Sequence, residues 1–319
     1  MDYWVLAFYC LTEITDPHKE VAAHKDFFAA RALKSRIYIS EQGINGQMSG
    51  FIADAQEYMD WLRRDLRFAN VSFKIHPHFE QAFPKATIKY RRQLVAIDCE
   101  VDLRERGEHV TPTQWNQMLA KRDEETLVLD VRNDYEWEVG RFRGAELPPL
   151  ETFREFPSYA KELKETRDPK KTKVMMYCTG GIRCEFYSAV LKKEGFENVY
   201  QLDGGVIQYG LDEGQDQWEG KLFVFDDRLV IPISDEKAAP ISRCKHCETA
   251  EDTYYNCANM DCNGLFLCCS TCAKEKRGCC CAACEEAPRV RPIQEGSSKP
   301  FRKCSHDEKV RMQGDLLLS

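Results

Sequence analysis

The feature that most constrains the fold is an apolar run, 174–177, that ends at Cys178 and is followed by two glycines and an arginine. The apolar residues before the cysteine predict a buried strand, and helical periodicity begins near Arg183. A strand, a short loop and a helix start are therefore expected in succession. Gly180 and Gly181 let backbone N–H groups turn inward, and the helix N-terminus adds partial positive charge, so the loop should form an anion site around the Cys178 sulfur.

Such a site favours the ionised form of Cys178. A cysteine pKa of about 8.5 falls to about 3.5–7.5 beside a helix N-terminus and a cation, which makes the sulfur a nucleophile at neutral pH. We therefore predict that Cys178 and Arg183 are catalytic. The other residues of the predicted active-site loop are Thr179, Gly180, Gly181, Ile182 and Cys184. The alternative is a buried structural cysteine, but a core cysteine does not need two glycines and an arginine after it.

The spacing between Cys178 and Arg183 distinguishes two kinds of cysteine enzyme. Four residues intervene here, whereas cysteine phosphatases resemble one another in having five, which makes a loop wide enough for phosphate. The Cys-x4-Arg spacing instead resembles the active loop of rhodaneses, in which the cysteine carries a persulfide. Cys184 stands where a phosphatase would have its arginine, and it either resolves a persulfide as a disulfide or simply begins the helix.

Strand and helix signals alternate over residues 122–222, which predicts a domain with a parallel sheet. The order of its motifs, DVR at 130–132, GA at 144–145, Cys-x4-Arg at 178–183 and DGG at 203–205, resembles that of a rhodanese domain. A buried strand at 127–132 contains Asp130 and Arg132 near its end. Sites in open α/β sheets lie beyond the carboxyl ends of the strands, so Asp130 and Cys178 should meet at one edge. Asp130 is therefore a candidate catalytic residue and Arg132 a weak candidate for substrate binding; a structural ion pair between them is the alternative. Residues 96–121 are interpreted as a connecting segment.

Residues 1–95 form a separate unit in which strand and helix signals follow the order βαββαβ. Asp16 followed by Pro17 predicts the start of its first helix. Gly43 and the pair Asn45-Gly46 predict a tight hairpin. The order is that of the ferredoxin-like or acylphosphatase-like plan, an α+β domain with two helices on one face of a small sheet. Such a fold hosts many functions and therefore names none.

Two parts of this N-terminal unit are weak candidates for substrate contact. Glu41 and Asn45 offer a carboxylate and an amide at the predicted hairpin. A short basic segment follows further along the chain, and its members are Lys85, Lys89, Arg91 and Arg92. These cations predict either a phosphate-contacting patch for RNA or a charged sheet edge that resists aggregation.

Cysteines are concentrated in the last third of the chain, which contains 12 of the 16. Paired spacing there predicts a module at 223–286 with two structural zinc sites of four cysteines each. The predicted ligands are Cys244, Cys247, Cys257, Cys262, Cys269, Cys272, Cys280 and Cys284. An iron–sulfur cluster is the alternative, and Cys268, Cys279 and Cys281 are alternative ligands. How the pairs combine cannot be read from spacing, and a flexible tail is expected at 287–319.

Composition sets limits on the class of protein. With 319 residues, 43% hydrophobic and 30% charged, the chain should form two or three globular domains. No transmembrane segment or signal peptide is expected, because the apolar run at 4–11 follows an acidic residue and lacks a cleavage site. We therefore expect a cytoplasmic location. The net charge of −7 means that any RNA binding would depend on local basic patches.

Five motifs in order give the chain a more specific resemblance. They are EQGING at 41–46, DVRNDYE at 130–136, TFREFP at 152–157, CTGGIRCE at 178–185 and WEGKLFVFDDR at 218–228. Together they resemble the oxygen-dependent tRNA uridine(34) hydroxylases, which contain a rhodanese domain. The resemblance implies conversion of wobble uridine 34 to 5-hydroxyuridine, with Cys178 as the essential residue and persulfide carrier. The family pattern has glutamate where this chain has Gln42, which leaves any carboxylate role on that hairpin open.

The resemblance implies tRNA as the partner and dioxygen as a co-substrate. The sequence shows no fingerprint of a flavin, a nicotinamide or a histidine–carboxylate iron site. The alternative function is a rhodanese-type sulfurtransferase that moves sulfane sulfur to a thiol acceptor and needs only the central domain. A non-enzymatic zinc adaptor is disfavoured by the intact loop. Both enzymatic interpretations require an ionised Cys178 sulfur that a substrate can reach.

Overall fold

The computed structural model of the chain describes residues 1–148, 150 and 152–293, so most of the predicted tail at 287–319 lies outside the described residues. The elements of the N-terminal unit are β1 (Tyr3–Leu11), α1 (Pro17–Ala29), β2 (Lys34–Ser40), β3 (Gly43–Phe51), α2 (Ile52–Arg63), β4 (Phe73–His78) and β5 (Ala86–Tyr90). The sheet has the order β4-β1-β3-β2-β5, in which only the β2–β5 pair is parallel. The ferredoxin-like order is thus confirmed for the first four strands, and β5 extends the sheet by one edge strand.

Both helices of this unit cover one face of the sheet, because alternate strand residues are apolar. Ile37 and Ile39 of β2 are fully buried in the core shared with α1 and α2. The predicted start of α1 is confirmed: the Asp16 side chain accepts a hydrogen bond from the backbone N–H of Lys19 at 2.9 Å, and Pro17 is the first helical residue. The opposite face of the sheet remains available for the central domain.

The predicted tight hairpin is present, but its turn lies before Gly43 and does not include Asn45 and Gly46. Glu41 and Gln42 form the turn, and β3 already begins at Gly43, which pairs with Ser40. Gly43 ends the turn with a φ of +133°, as a turn glycine can. Gly46 serves close packing instead, because a Cβ there would lie 2.5 Å from the Phe8 ring of the neighbouring strand. Asn45 therefore lies within strand β3, and its side chain faces away from the two helices.

The central domain is built around a four-stranded parallel sheet, as predicted, with the order β6-β10-β9-β7. Its elements are β6 (Glu108–Val110), α3 (Pro112–Ala120), β7 (Thr126–Asp130), α4 (Asp134–Trp137), β8 (Gly140–Phe142), α5 (Phe156–Thr166), β9 (Lys173–Tyr177), α6 (Ile182–Lys193), β10 (Asn198–Leu202) and α7 (Gly205–Glu213). The segment 96–121, interpreted above as a connection, supplies β6 and α3. It therefore contributes one edge strand and one covering helix to this sheet.

Helices cover both faces of the parallel sheet. Leu127 and Leu129 of β7 pack in the core formed with α5 and α6, whereas Val128 packs in the core formed with α3 and α7. This two-sided burial explains why the strands are continuous apolar runs. Asp130 ends β7 and Cys178 follows β9, so both lie at the carboxyl edge of the sheet, as predicted.

The C-terminal part contains short elements. They are β11 (Trp218–Gly220), β12 (Leu222–Phe223), β13 (Val230–Ile231), β14 (Tyr254–Asn256), β15 (Leu265–Leu267), α8 (Ser270–Glu275) and α9 (Ala282–Glu285). Strand β11 pairs with β8 of the central domain, and β14 pairs with β15 in a small hairpin. None of the helices among the described residues has both the length and the apolar composition needed to cross a membrane.

Candidate active site

The Cys178 loop has the predicted strand–loop–helix form. Gly181 adopts a φ of +103° just before α6, a conformation that glycine reaches without strain, and its backbone N–H donates to the Cys178 Sγ at 3.2 Å. The start of α7 holds the other side of the loop, because the backbone N–H of Val206 donates to the Cys178 carbonyl oxygen at 3.0 Å. Two helix starts and one positive-φ glycine therefore fix the position of the sulfur.

The Cys178 sulfur is ionised at neutral pH. Burial alone would raise the pKa of this thiol, but hydrogen bonds from the Cys184 side chain and from the backbone of Cys184 and Gly181, together with the charge of Arg183, lower it to about 5. Burial and the hydrogen bond to Cys178 raise the pKa of Cys184 well above its usual value. Cys184 is therefore a neutral thiol that donates to the Cys178 thiolate from the first turn of α6.

Arg183 is held in place by a buried carboxylate that sequence reasoning missed. Its guanidinium forms a two-point ion pair with Glu136, at 2.5 and 2.8 Å, and lies 3.2 Å from the Thr179 hydroxyl. Burial raises the pKa of Glu136, but the charge and hydrogen bonds of Arg183 outweigh this effect and lower it. Glu136 was detectable in principle, since it is three residues after Asn133 in a capping box that opens α4.

Asp130 and Arg132 form a buried ion pair, which is the structural alternative considered above; a catalytic or substrate-binding role for either stays a prediction. The Asp130 carboxylate accepts from the Arg132 guanidinium at 2.6 and 2.9 Å and from the Tyr177 hydroxyl at 2.6 Å. Both residues are fully buried, and Arg132 also donates to the Gly140 carbonyl oxygen at 2.6 Å. Their charges are satisfied by each other beneath the loop, and neither contacts the cavity described below.

The N-terminal domain covers the Cys178 loop and brings a buried cation to it. Lys74 of β4 is only 4% exposed, and its Nζ donates to the Gly180 carbonyl oxygen at 3.0 Å. Burial lowers the pKa of this ammonium to about 8, although the negative charges of Asp203, Cys178 and Glu185 act to raise it. A positive charge from one domain therefore faces the thiolate of the other. No local sequence pattern predicts this contact, because its partners are 106 positions apart in the chain.

A second contact joins the two domains beside the loop. The Tyr9 hydroxyl donates to Glu185 at 2.7 Å, and the His109 ring lies 2.9 Å from the same carboxylate oxygen. Burial raises the pKa of Glu185, but the His109 and Tyr9 hydrogen bonds outweigh it and lower the pKa. The hydrogen bond to Glu185 in turn raises the pKa of His109. The last residue of the 178–185 motif thus anchors the N-terminal domain.

A cavity of about 260 Å³ lies between the N-terminal sheet and the Cys178 loop. Its walls combine residues of both domains and one residue after β12: Ala7, Phe8, Tyr9, Arg36, Tyr38, Asn45, Gly46, Gln47, Lys74, Leu94, Val95, Tyr135, Cys178, Thr179, Gly180, Ile182, Arg183, Ile207 and Phe225. Cys178 forms part of the wall but has 0% exposed area. The sulfur therefore lies at the cavity wall but is buried in this arrangement, and its access to a substrate stays a prediction.

The weak candidates for substrate contact separate into two groups. Asn45 lines the cavity, whereas Glu41 lies outside it and accepts from the Tyr90 hydroxyl at 3.1 Å. The four basic residues are all exposed on or next to the edge strand β5; they are Lys85, Lys89, Arg91 and Arg92. The Arg91 guanidinium lies 5.0 Å from the ring of Tyr38, which is itself in the cavity wall. The basic edge is thus continuous with the cavity.

The eight predicted metal ligands form two groups that could each hold one metal ion. The first group is Cys244, Cys247, Cys269 and Cys272, and the second is Cys257, Cys262, Cys280 and Cys284. Within each group all sulfurs lie within 4.8 Å of one another. The cysteine pairs therefore alternate along the chain between two interleaved sites. Cys268, Cys279 and Cys281 belong to neither group.

The cysteine-rich module also contacts the cavity wall. The Tyr254 hydroxyl of β14 donates to the Tyr135 carbonyl oxygen and to Glu138, both at 2.8 Å. Tyr254 also packs against Phe223, which contacts Phe225 edge to face. Because Tyr135 and Phe225 line the cavity, these contacts connect the module to the cavity wall.

Family models match the chain in the order of its structural units. The UPF0176 acylphosphatase like domain matches residues 3–94, the Rhodanese-like domain matches residues 111–210, and the Rhodanase C-terminal model matches residues 219–285. The solved structure of a rhodanese-like domain from Anabaena sp. is similar to 44% of this chain over 96% of its own length, at 19% identity and a TM-score of 0.30.

Curated relatives are similar over nearly the whole chain. A tRNA uridine(34) hydroxylase from Protochlamydia amoebophila is 59% identical over 305 residues, which is 95% of each chain. A tRNA uridine(34) hydroxylase from Chlamydia caviae is 52% identical over 315 residues, which is 98% of this chain and 95% of the relative. Identity at this level extends through all three units described above, and the chain therefore belongs to the tRNA uridine(34) hydroxylase family.

Proposed function

We propose that this chain hydroxylates C5 of uridine 34 in tRNA and that dioxygen supplies the new oxygen atom. The observation that carries the proposal is an ionised sulfur at the wall of a cavity that the N-terminal sheet closes. Relatives that are 52–59% identical to this chain are named tRNA uridine(34) hydroxylases. A tRNA substrate also supports the expected cytoplasmic location.

The Cys178 thiolate, or a persulfide on it, is the proposed nucleophile. Addition of this sulfur to C6 of uracil moves electron density to C5, which then reacts with dioxygen. In net terms C5–H becomes C5–OH, and the second oxygen atom leaves as water after uptake of two electrons and two protons from a thiol reductant. Loss of the sulfur from C6 and of the proton from C5 restores the pyrimidine. Arg183 and Glu136 hold the loop in place during these steps.

Isotope labelling tests the source of the oxygen. A U34-containing anticodon stem-loop is incubated with the protein and a dithiol reductant under heavy-isotope dioxygen in ordinary water, and the nucleosides are analysed by mass spectrometry. We expect 5-hydroxyuridine that carries one heavy oxygen. Label that enters from heavy water instead would refute dioxygen as the source, and failure to form 5-hydroxyuridine would refute the proposed activity.

We propose that the basic edge at β5 binds tRNA phosphates close to the cavity. Lys89 lies opposite Tyr38 in the parallel β2–β5 pair, so both residues occupy the same row of the sheet. Charge reversal by Lys89→Glu should weaken stem-loop binding and reduce the slope of log affinity against log salt concentration by about 0.7 per lost phosphate contact. Fluorescence anisotropy at several salt concentrations measures both effects.

Lys25 provides a matched control for this charge reversal. It is exposed on α1, which covers the other face of the same sheet. Lys25→Glu changes net charge by the same amount but should leave the salt slope unchanged. Equal effects of the two substitutions would show that net charge, and not the edge of β5, governs binding.

We propose that zinc occupies both four-cysteine groups. Zn–S bonds of about 2.3 Å in a tetrahedral site place the sulfurs about 3.8 Å apart. The Cys247–Cys269 sulfurs are 3.7 Å apart, and the Cys262–Cys280 sulfurs are 3.8 Å apart. Thiolates that bind different irons of a cluster lie further apart, so a single tetrahedral ion suits this geometry better than an iron–sulfur cluster.

A further inference from the structure

One hydrogen-bond acceptor in the cavity wall lacks a partner. The Oε1 atom of Gln47 is buried, and it accepts no hydrogen bond from any described residue. Gln47 lies within β3, opposite Ala7 of β1 and Arg36 of β2, and all three line the cavity. A buried acceptor without a donor carries a free-energy cost, so its presence here is explained if a ligand supplies the donor.

The surroundings of Gln47 suit a flat heterocycle. Tyr38 lies on the neighbouring strand, and Tyr135 and Phe225 line the cavity from the central and C-terminal parts of the chain. Aromatic side chains of this kind stack on nucleobases without regard to sequence. A volume of about 260 Å³ admits one extruded base and not a stacked anticodon loop. Enzymes that act on a ring atom of a base commonly take that base out of its stack into such a pocket.

We propose that Gln47 is a specificity-determining residue whose side-chain oxygen accepts a hydrogen bond from N3–H of the extruded uracil. The inference rests on the proposed function, since it assigns the base-reading contact of that same site. Uracil carries a donor at N3, whereas cytosine carries an acceptor there, so cytosine would place two lone pairs against each other. Asn45, two residues earlier on the same strand face, provides a second amide beside the same cavity.

The contact should discriminate between bases by an amount that is easily measured. An enzyme site that leaves a buried polar group unpaired loses about 5- to 100-fold in binding or rate for each such group. Wild-type kcat/KM should therefore fall by about this factor when N3-methyluridine replaces uridine at position 34, because the methyl group removes the donor. Removal of the acceptor from the protein should have a similar effect on unmodified uridine.

The experiment measures kcat/KM for 5-hydroxylation of stem-loops that carry uridine or N3-methyluridine at position 34. Gln47→Met removes the acceptor while it keeps a side chain of similar length. We expect this variant to be slower than wild type on uridine and to show little further loss on N3-methyluridine. Gln56→Met is the matched control, because Gln56 is exposed on α2 across the sheet from the cavity.

The outcomes separate the inference from the function on which it rests. No hydroxylation of the uridine stem-loop by wild-type protein would refute the proposed function itself. Hydroxylation of uridine and N3-methyluridine at equal rates by wild type would overturn the inference alone, and this comparison does not depend on how any variant folds. An equal N3-methyl penalty in wild type and Gln47→Met, with unchanged thermal unfolding, would overturn it as well.

Discussion

Replacement of Cys178 by serine is expected to abolish 5-hydroxyuridine in tRNA, with a loss of at least about a thousandfold, as when other enzymes lose their nucleophile. The reason is the ionisation state of the side chain. The loop lowers the pKa of the Cys178 thiol to about 5, so the sulfur is a thiolate at neutral pH. A serine hydroxyl in the same position stays protonated, because its pKa starts far above that of a thiol. Mass spectrometry of nucleosides from cells that contain either form measures the effect.

Two further cysteines make this test specific to the nucleophile. Cys99 is half-buried outside the loop, so Cys99→Ser should retain full modification and excludes a general effect of thiol loss. Cys184→Ser keeps a hydroxyl donor beside the thiolate and tests the hydrogen-bonding role. Loss of modification in Cys184→Ser equal to that in Cys178→Ser would show that Cys184 reacts as a resolving thiol. Modified tRNA in the Cys178→Ser cells would refute the assignment of the nucleophile.

The local form of the site was predictable because each signal lies within a few residues. An apolar run, Gly181 and Arg183 specify a strand, a turn of positive φ and a helix start without reference to the rest of the chain. The same reasoning was correct for Gly43, which has a φ of +133° at the turn, but failed for Gly46, because glycine serves both tight turns and close packing between strands. Only the position of Phe8 on the neighbouring strand distinguishes the two uses.

The docking of the N-terminal domain over the Cys178 loop was not predictable from sequence, because its contacts join residues far apart in the chain. Tyr9 and Glu185 are 176 residues apart and meet only because the free face of one sheet docks over the loop of another domain. Strand alternation indicates that Tyr9, Gln47 and Arg36 lie on one face of the sheet. It does not indicate which part of the protein packs against that face. The sealed position of Cys178 follows from the same docking, which no local pattern encodes.

The cysteine-rich module illustrates an intermediate case. Spacing identified the eight candidate ligands as pairs but left their combination open. The structure pairs the first with the third and the second with the fourth, because the β14–β15 hairpin lies between Cys247 and Cys269 and returns the chain to the first pair. Under the proposed zinc occupancy, each metal ion would connect distant segments of the chain, so both ions should be needed for one folded module.

Loss of one metal ion is therefore expected to disorder the C-terminal module and to lower hydroxylation with it. Structural zinc contributes apparent binding free energies of about 10–16 kcal/mol, far more than a small module gains from its apolar core. Cys257→Ser removes a buried ligand of the second site. We expect metal analysis to fall from two zinc ions per chain to one or none and thermal unfolding to occur at a lower temperature.

The effect on activity should follow from the wall that the module supports. Tyr254 lies in the sequence just before Cys257 and holds Tyr135, so disorder of the module releases one aromatic side of the cavity. Cys281→Ser is the matched control, since Cys281 is exposed next to the second site but belongs to neither group. Full metal content and unchanged hydroxylation in Cys257→Ser would refute the assigned ligands. Iron in place of zinc would refute the proposed metal. An unchanged rate of hydroxylation after complete metal removal would show that the active site does not depend on the metal-bound module.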